Sequence, residues 1–250
     1  MTDTATSTID ADEVARFNAL ADEWWDPEGG LKALHQINPI RIAYIRDHLC
    51  AHFGRDPLGD APLAGLRLVD IGCGGGLLCE PMARLGASVV GVDAARASIE
   101  TAAHHAAQGS LEIDYRHGTA EALAANRETF DGVLAMEIIE HVADFDAFMA
   151  ACCALARPGG MVVMATLNRT PQAFALAILG AEYLLRWLKP GTHDWRKFVR
   201  PAELARAFRK GGVAVVETSG VRYRPFADDW CLSHDLSVNY MAVGVKEGAA

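Results

Sequence analysis

The run LRLVDIGCGGGLLCEPMARLGASVVGVD, Leu66 to Asp93, decides the fold. Leu66, Leu68, Val69 and Ile71 form a short apolar run, the pattern of a strand buried on both faces. Gly72, Gly74, Gly75 and Gly76 follow at once. Glycines permit positive φ and let a ligand approach the bare backbone. Leu77 to Leu85 carries helical signals, and Gly86 stands where a helix stops. Ala87 to Val92 is a second buried strand that ends on Asp93. A carboxylate there can accept hydrogen bonds from ribose hydroxyls while the turn after the first strand holds the rest of a nucleoside.

The cofactor class follows from what fails to match. A dinucleotide fingerprint begun at Gly72 needs a small residue where Leu77 stands, and one begun at Gly74 fails at Cys79. Asp70, just before the turn, would repel a pyrophosphate. It suits a cofactor that carries an ammonium and a sulfonium, which is S-adenosylmethionine. Through VDIGCGGG (Val69 to Gly76) and the Val92-Asp93 pair the chain resembles the class I S-adenosylmethionine-dependent methyltransferases.

The chain has 250 residues, enough for one domain with appendages, and its 51% hydrophobic content can fill a core. A net charge of −9 argues against a nucleic-acid partner, because phosphate contacts need clustered Lys and Arg. Six cysteines without a C-x-x-C pair read as reduced thiols of a cytoplasmic protein. The polar, acidic start MTDTATSTIDADE reads as neither a signal peptide nor a presequence.

Along the chain, Thr8 or Asp10 can cap a helix over about Ala11–Trp25, broken by Pro27-Glu28-Gly29-Gly30. Pro39 marks the first turn of a second helix, about Pro39–His52, that carries Arg41. After a Pro- and Gly-rich linker, strands are expected at 66–71, 87–92, 111–116, 130–136, 161–167, 213–219 and 238–245, with helices between most of them. Such alternation means an α/β, doubly wound, mostly parallel seven-stranded sheet with right-handed crossovers. One domain is expected over 1–250: a helical cap (9–53), a cofactor-binding core (66–168), an inserted lid (169–200) and the rest of the sheet (201–250).

MEIIEH, Met136 to His141, follows the fourth strand at the carboxyl edge, where ligands bind in such sheets. In a helical turn Glu137, Glu140 and His141 fall on one side. Two carboxylates and an imidazole suit Mg²⁺ or Zn²⁺. The other reading is a polar turn with His141 as general base and no metal. A divalent ion would lower the pKa of a catechol hydroxyl, which is near ~10 in a free phenol. His193 or Asp194 could add a ligand.

Thr170 to Pro190, TPQAFALAILGAEYLLRWLKP, is strongly apolar with a basic rim of Arg169, Arg186, Lys189, Arg196 and Lys197. Its uninterrupted apolar part is short of the ~20 residues of a spanning helix. It reads either as an interfacial helix on an anionic lipid surface, with Tyr183 and Trp187 at headgroup depth, or as a buried helix of the substrate cap. Both readings favour a hydrophobic substrate.

Taken with FNALADEWW (Phe17–Trp25), LHQINPIR (Leu34–Arg41), TLNR (Thr166–Arg169), GAEY (Gly180–Tyr183), GTHD (Gly191–Asp194), Phe198 with PAEL (Pro201–Leu204) and VNYM (Val238–Met241), the chain resembles the ubiquinone-biosynthesis O-methyltransferase family. The Asp56–Ala64 linker departs from the family by its length. The resemblance implies two O-methylations of polyprenylated catechols by a bacterial cytoplasmic enzyme at the inner face of the membrane. Assembly with other enzymes of that pathway goes with it. Carried over, Arg41, Gly72, Gly74, Asp93 and Met136 bind S-adenosylmethionine, and Ala120 with Glu121 faces its adenine. Glu137, Glu140 and His141 hold the divalent ion. An RNA 3′-terminal 2′-O-methyltransferase, which uses a similar E-x-x-E-H motif, is the rival enzyme class, and a non-catalytic lipid-binding protein of the same fold is the other.

Overall fold

The computed structural model describes residues 8–176, 194–224, 227 and 229–248. Among the described residues eight strands form one sheet, in the order β3-β2-β1-β4-β5-β8-β6-β7. The first five are parallel: β1 (Arg67–Ile71), β2 (Ser88–Asp93), β3 (Asp114–His117), β4 (Phe130–Met136) and β5 (Ala156–Leu167). The last three, β6 (Val213–Arg224), β7 (Asp229–Ser233) and β8 (Asn239–Lys246), are antiparallel to their neighbours. The expected seven strands are therefore eight. The additional one is β7, a short strand of mixed polarity that carries no alternating signal and forms by pairing with the far end of β6.

Helices cover both faces. On one side α5 (Ala120–Ala125), α6 (Phe145–Leu155) and α8 (Pro201–Lys210) pack Leu123, Phe148, Cys152, Leu204 and Phe208 against Val69, Val90 and Val133. On the other, α2 (Lys32–Phe53), α3 (Cys79–Arg84) and α4 (Arg96–Gln108) pack Ile45, Leu49, Met82 and Ile99 against Leu68, Val89, Leu134 and Val163. Strands β1 and β4, buried on both faces, explain the unbroken apolar runs. All six cysteines are free thiols.

Helix α2 begins seven residues earlier than Pro39 suggests, and Pro39 lies inside it. The buried stripe Ile37, Arg41, Tyr44, Ile45 and Leu49 runs straight through the proline. Asn38 adds a hydrogen bond to the Leu77 carbonyl at 2.8 Å. Tertiary burial here outweighs the hydrogen bond that proline removes.

The first helix, α1 (Ala11–Ala19), is capped by the Asp10 carboxylate, which accepts from Asp12 and Glu13. It stops six residues short of Trp25, and a 3₁₀ turn over Ala21–Glu23 follows. The shorter helix lets both tryptophans reach the glycine loop. Trp24 donates to the Ser98 hydroxyl at 3.1 Å, and Trp25 donates to the Gly75 carbonyl at 3.0 Å. Trp25 also stacks on His105, with ring centroids 3.5 Å apart. A one-turn helix, α7 (Pro171–Ala173), opens the apolar run; its residues 177–193, with Tyr183, Arg186, Trp187 and Lys189, lie outside the described residues.

Candidate active site

The carboxyl ends of β1, β2 and β4 open into one cavity of about 830 Å³. Asp70, Gly72, Asp93, Ala120, Glu121 and Met136 line one end, and Arg41, Glu137 and His141 line it further along. Leu167, Leu176, Val221 and Trp230 form an apolar wall beyond them.

Asp93 ends β2 with its carboxylate held on both oxygens. Oδ2 accepts from the Gly74 amide at 2.8 Å and Oδ1 from the Ala95 amide at 2.7 Å. Each oxygen keeps a second lone pair for a ribose hydroxyl. Burial pushes its pKa up, against the pull of those two amides. Asp70, next to last in β1, is 3% exposed. Burial raises its carboxyl to about 7, although the Cys79 thiol donates to it at 3.3 Å. The Asp93 charge adds to the rise. Two poorly compensated carboxyls at one end of a cavity favour a cationic ligand.

Gly72 and Gly74 both have positive φ, +73° and +52°. They serve different neighbours. A Cβ at Gly72 would meet Ile138 at 2.7 Å, and one at Gly74 would meet the Trp24 ring at 2.2 Å. Gly74 is not among the lining residues: the room left by its missing side chain is filled by the N-terminal segment, and its amide reaches the cavity only through Asp93.

The acidic cluster differs from the expected helical turn. Glu137 has φ +56°, a left-handed conformation that costs a non-glycine residue, so it stands outside the 3₁₀ turn Ile139–His141. Its Oε1 accepts from Arg41 at 2.6 Å and from Asn239 at 2.9 Å. Arg41 thus joins the site by pairing with Glu137, with its Nε unpartnered. Glu140 is fully buried and accepts from the Thr166 hydroxyl at 2.8 Å, while its Oε1 has no partner. Burial, then the neighbouring Glu137 charge, push Glu140 well above the ordinary carboxyl range.

His141 turns the other way. Its Nδ1 lies 3.2 Å from the Glu13 carboxylate of α1, and Phe17 packs edge-on against its ring. Glu13 also pairs with Arg16. Burial raises the Glu13 pKa, but the His141 hydrogen bond and charge outweigh it and the net shift is downward. Glu137, Glu140 and His141 therefore do not converge as one turn would have them. Among the described residues no group of three or more His, Cys, Asp and Glu side chains is arranged to hold a metal ion. Asp194 caps the turn at Arg196 instead, accepting its amide at 2.9 Å.

Glu13, Trp24 and Asn239 were not legible as site residues. Glu13 looks like a first-turn acid of an amphipathic helix, and Asn239 starts a strand more than 100 residues from Glu137. The sequence signs were FNALADEWW, where two tryptophans beside a helix end are more aromatic surface than a solvated segment carries, and the motif VNYM, which contains Asn239.

Comparison with known proteins agrees with this geometry. A methyltransferase domain family matches residues 69–164. The fold resembles magnesium protoporphyrin IX methyltransferase from Synechocystis PCC 6803, a structure with S-adenosylmethionine bound, at TM-score 0.62 and 16% identity over 98% of this chain and all of that one. A possible histamine N-methyltransferase from Thermotoga maritima gives 0.58 at 20% identity, covering 94% and 100%. The chain is an S-adenosylmethionine-dependent methyltransferase.

Its relatives narrow the class. It is 56% identical to the ubiquinone biosynthesis O-methyltransferase of Brucella ovis over 98% of this chain and 99% of that one. The same identity holds to the protein of that name in Mesorhizobium japonicum over 96% of each. The chain belongs to the ubiquinone biosynthesis O-methyltransferase family.

Proposed function

We propose that the protein transfers a methyl group from S-adenosylmethionine to a phenolic hydroxyl of polyprenylated catechol-type intermediates, at both O-methylation steps of ubiquinone synthesis. The observation that carries this reading is continuity. One cavity joins the acid-ended strands, fit for a cationic nucleoside, to an apolar wall fit for a greasy phenol.

Asp93 holds the ribose and Asp70 faces the charged amino-acid end of the donor. Gly72, Ala120 and Met136 pack against it, with Glu121 at the adenine. Arg41 offers its unpartnered Nε to the donor's carboxylate. Gly74 acts at one remove by fixing Asp93. The sulfonium is already an activated methyl donor, so the protein needs no covalent intermediate. It must align nucleophile, methyl and sulfur and keep water out. His141, oriented by Glu13, accepts the phenol proton.

The acidic cluster suits a divalent ion through its oxygens. Glu137 and Glu140 are hard donors, and the buried, unpartnered Glu140 Oε1 beside a second carboxylate is an electrostatic deficit that a cation removes. These two carboxylates would hold Mg²⁺ or Zn²⁺, and His141, turned to Glu13, would serve as the base and not as a third ligand. Such an ion would supply Lewis acidity that lowers the pKa of a phenol. The segment 170–190 would seat the enzyme on an anionic lipid surface, where tailed intermediates and the other enzymes of the pathway meet.

The test is methyl transfer from labelled S-adenosylmethionine to a prenylated catechol and, in parallel, to a short RNA with a free 3′ end. Catechol turnover is expected. Turnover of RNA alone would overturn the reading, and cofactor binding without turnover of either would favour a lipid-binding role.

A further inference from the structure

We infer that Asn239 and Trp230 read the second oxygen of the phenolic acceptor, so that the enzyme selects rings bearing two neighbouring oxygens. This rests on the methyl-acceptor reading above. Asn239 begins β8 and is paired with Val221 of β6. Trp230 of β7 is paired with Tyr223, two residues beyond Val221 on β6. Side chains alternate along a strand, so Asn239, Val221, Tyr223 and Trp230 all stand on one face of the antiparallel side of the sheet. All four line the cavity.

Their polar atoms are spent unevenly. The Asn239 amide nitrogen donates to Glu137 at 2.9 Å, which fixes the orientation of the side chain: a flipped amide would set oxygen against carboxylate oxygen. Its Oδ1 is then buried with no donor to satisfy it. The Trp230 indole N–H is likewise buried without an acceptor. An unmet buried polar atom costs free energy that a ligand able to meet it recovers. Asn239 Oδ1 requires a donor, which a ring hydroxyl is. Trp230 Nε1 requires an acceptor, which a second ring oxygen is. Tyr223 and Trp230, with ring centroids 5.4 Å apart, supply an aromatic wall for the ring that carries both. A single hydroxyl meets both only if it lies within hydrogen-bond reach of the two at once, whereas two neighbouring oxygens answer each atom separately, and sites built on such pairs discriminate against the deficient ligand.

The experiment compares a farnesyl catechol with the matching farnesyl phenol that lacks the second hydroxyl. Both are measured by kcat/KM and by calorimetric Kd with S-adenosylhomocysteine bound. The wild type should favour the catechol at least tenfold in Kd. Asn239→Leu, similar in volume, and Trp230→Phe, which keeps an aromatic ring, should each shrink that preference at least fivefold while the Kd for S-adenosylmethionine stays within twofold. If either variant keeps the wild-type preference, or weakens both phenols equally, the inference is overturned while catechol turnover by the wild type still supports the activity. If the wild type neither binds nor methylates the catechol, the inference and the proposed activity fall together.

Discussion

Asp70 is a carboxyl whose ionisation the fold opposes, and its partner has to come from the ligand. Burial sets its pKa at about 7, against 3.8 in a free chain. The folded state therefore keeps a proton that the unfolded state has lost between those values. Stability falls as pH rises from about 4 to about 7 and is level above, a loss on the order of 4 kcal/mol at ~1.4 kcal/mol per unit. Other carboxyls shift as well, Asp93 and Glu140 upward and Asp10 and Glu13 downward, so the difference between wild type and Asp70→Asn in urea unfolding at pH 5 and pH 8 isolates it. The variant should gain on the wild type at pH 8. A cationic donor pairs with the ionised form, so its affinity should rise with pH up to about 7 and then flatten. Calorimetry on Asp70→Asn should show a flat profile. Glu140 gives a second expectation. Glu140→Gln keeps the hydrogen bond from Thr166 but removes the charge a cation or a phenol proton would answer. Transfer should drop by a factor of a hundred or more, with the Kd for S-adenosylmethionine unchanged. Normal turnover would remove Glu140 from the chemistry.

The N-terminal helix shows how an element with little stability of its own is held. No residue of α1 is buried, and nine residues are too few for a stable isolated helix. Its docking comes in part from Asn18, which accepts from the Ala97 amide, and Phe17 on the His141 ring, and in part from Trp24 and Trp25 just beyond it, anchored on Ser98, the Gly75 carbonyl and the His105 ring. Those anchors cover the glycine loop and bring Glu13 to His141. Trp24→Ala should therefore speed amide exchange over residues 11–31 while leaving β4 protected. It should also weaken donor binding, because the cover of the cavity loosens. Gly74→Ala attacks the same joint from the other side. A side chain at φ +52° and 2.2 Å from the Trp24 ring should cost about 2–5 kcal/mol in thermal or urea unfolding. Wild-type stability in that variant would mean that Trp24 is not seated on the loop.

The molecule as a whole is acidic, at −9, yet the apolar run after β5 is edged with Arg186 and Lys189. No helix among the described residues is long and apolar enough to cross a bilayer. The lid reading is therefore tested in solution. Sedimentation with vesicles of mixed anionic and neutral lipid should capture the wild type, and Arg186→Glu with Lys189→Glu should release it, more so at low salt. Equal capture of both would leave the basic rim without that role. Phe174 and Leu176, the last large apolar residues described before residue 177, are exposed.

What the amino-acid order determined alone was local and periodic. The buried runs of β1, β2 and β4, the glycine turn and the acids near the ends of β1 and β2 are all set within 28 residues or by strand spacing, so the sheet class and the cofactor end were legible. Distant pairing was not. Helix α2 ran through Pro39 because its buried stripe lay against the sheet, and β7 existed only as a partner of β6. Glu137 went to Arg41 and Asn239, and His141 to Glu13, because a left-handed backbone at Glu137 split a motif that helical spacing would have kept together. Periodicity reports which face a residue is on; which residue meets it across the fold depends on packing that only the tertiary structure decides.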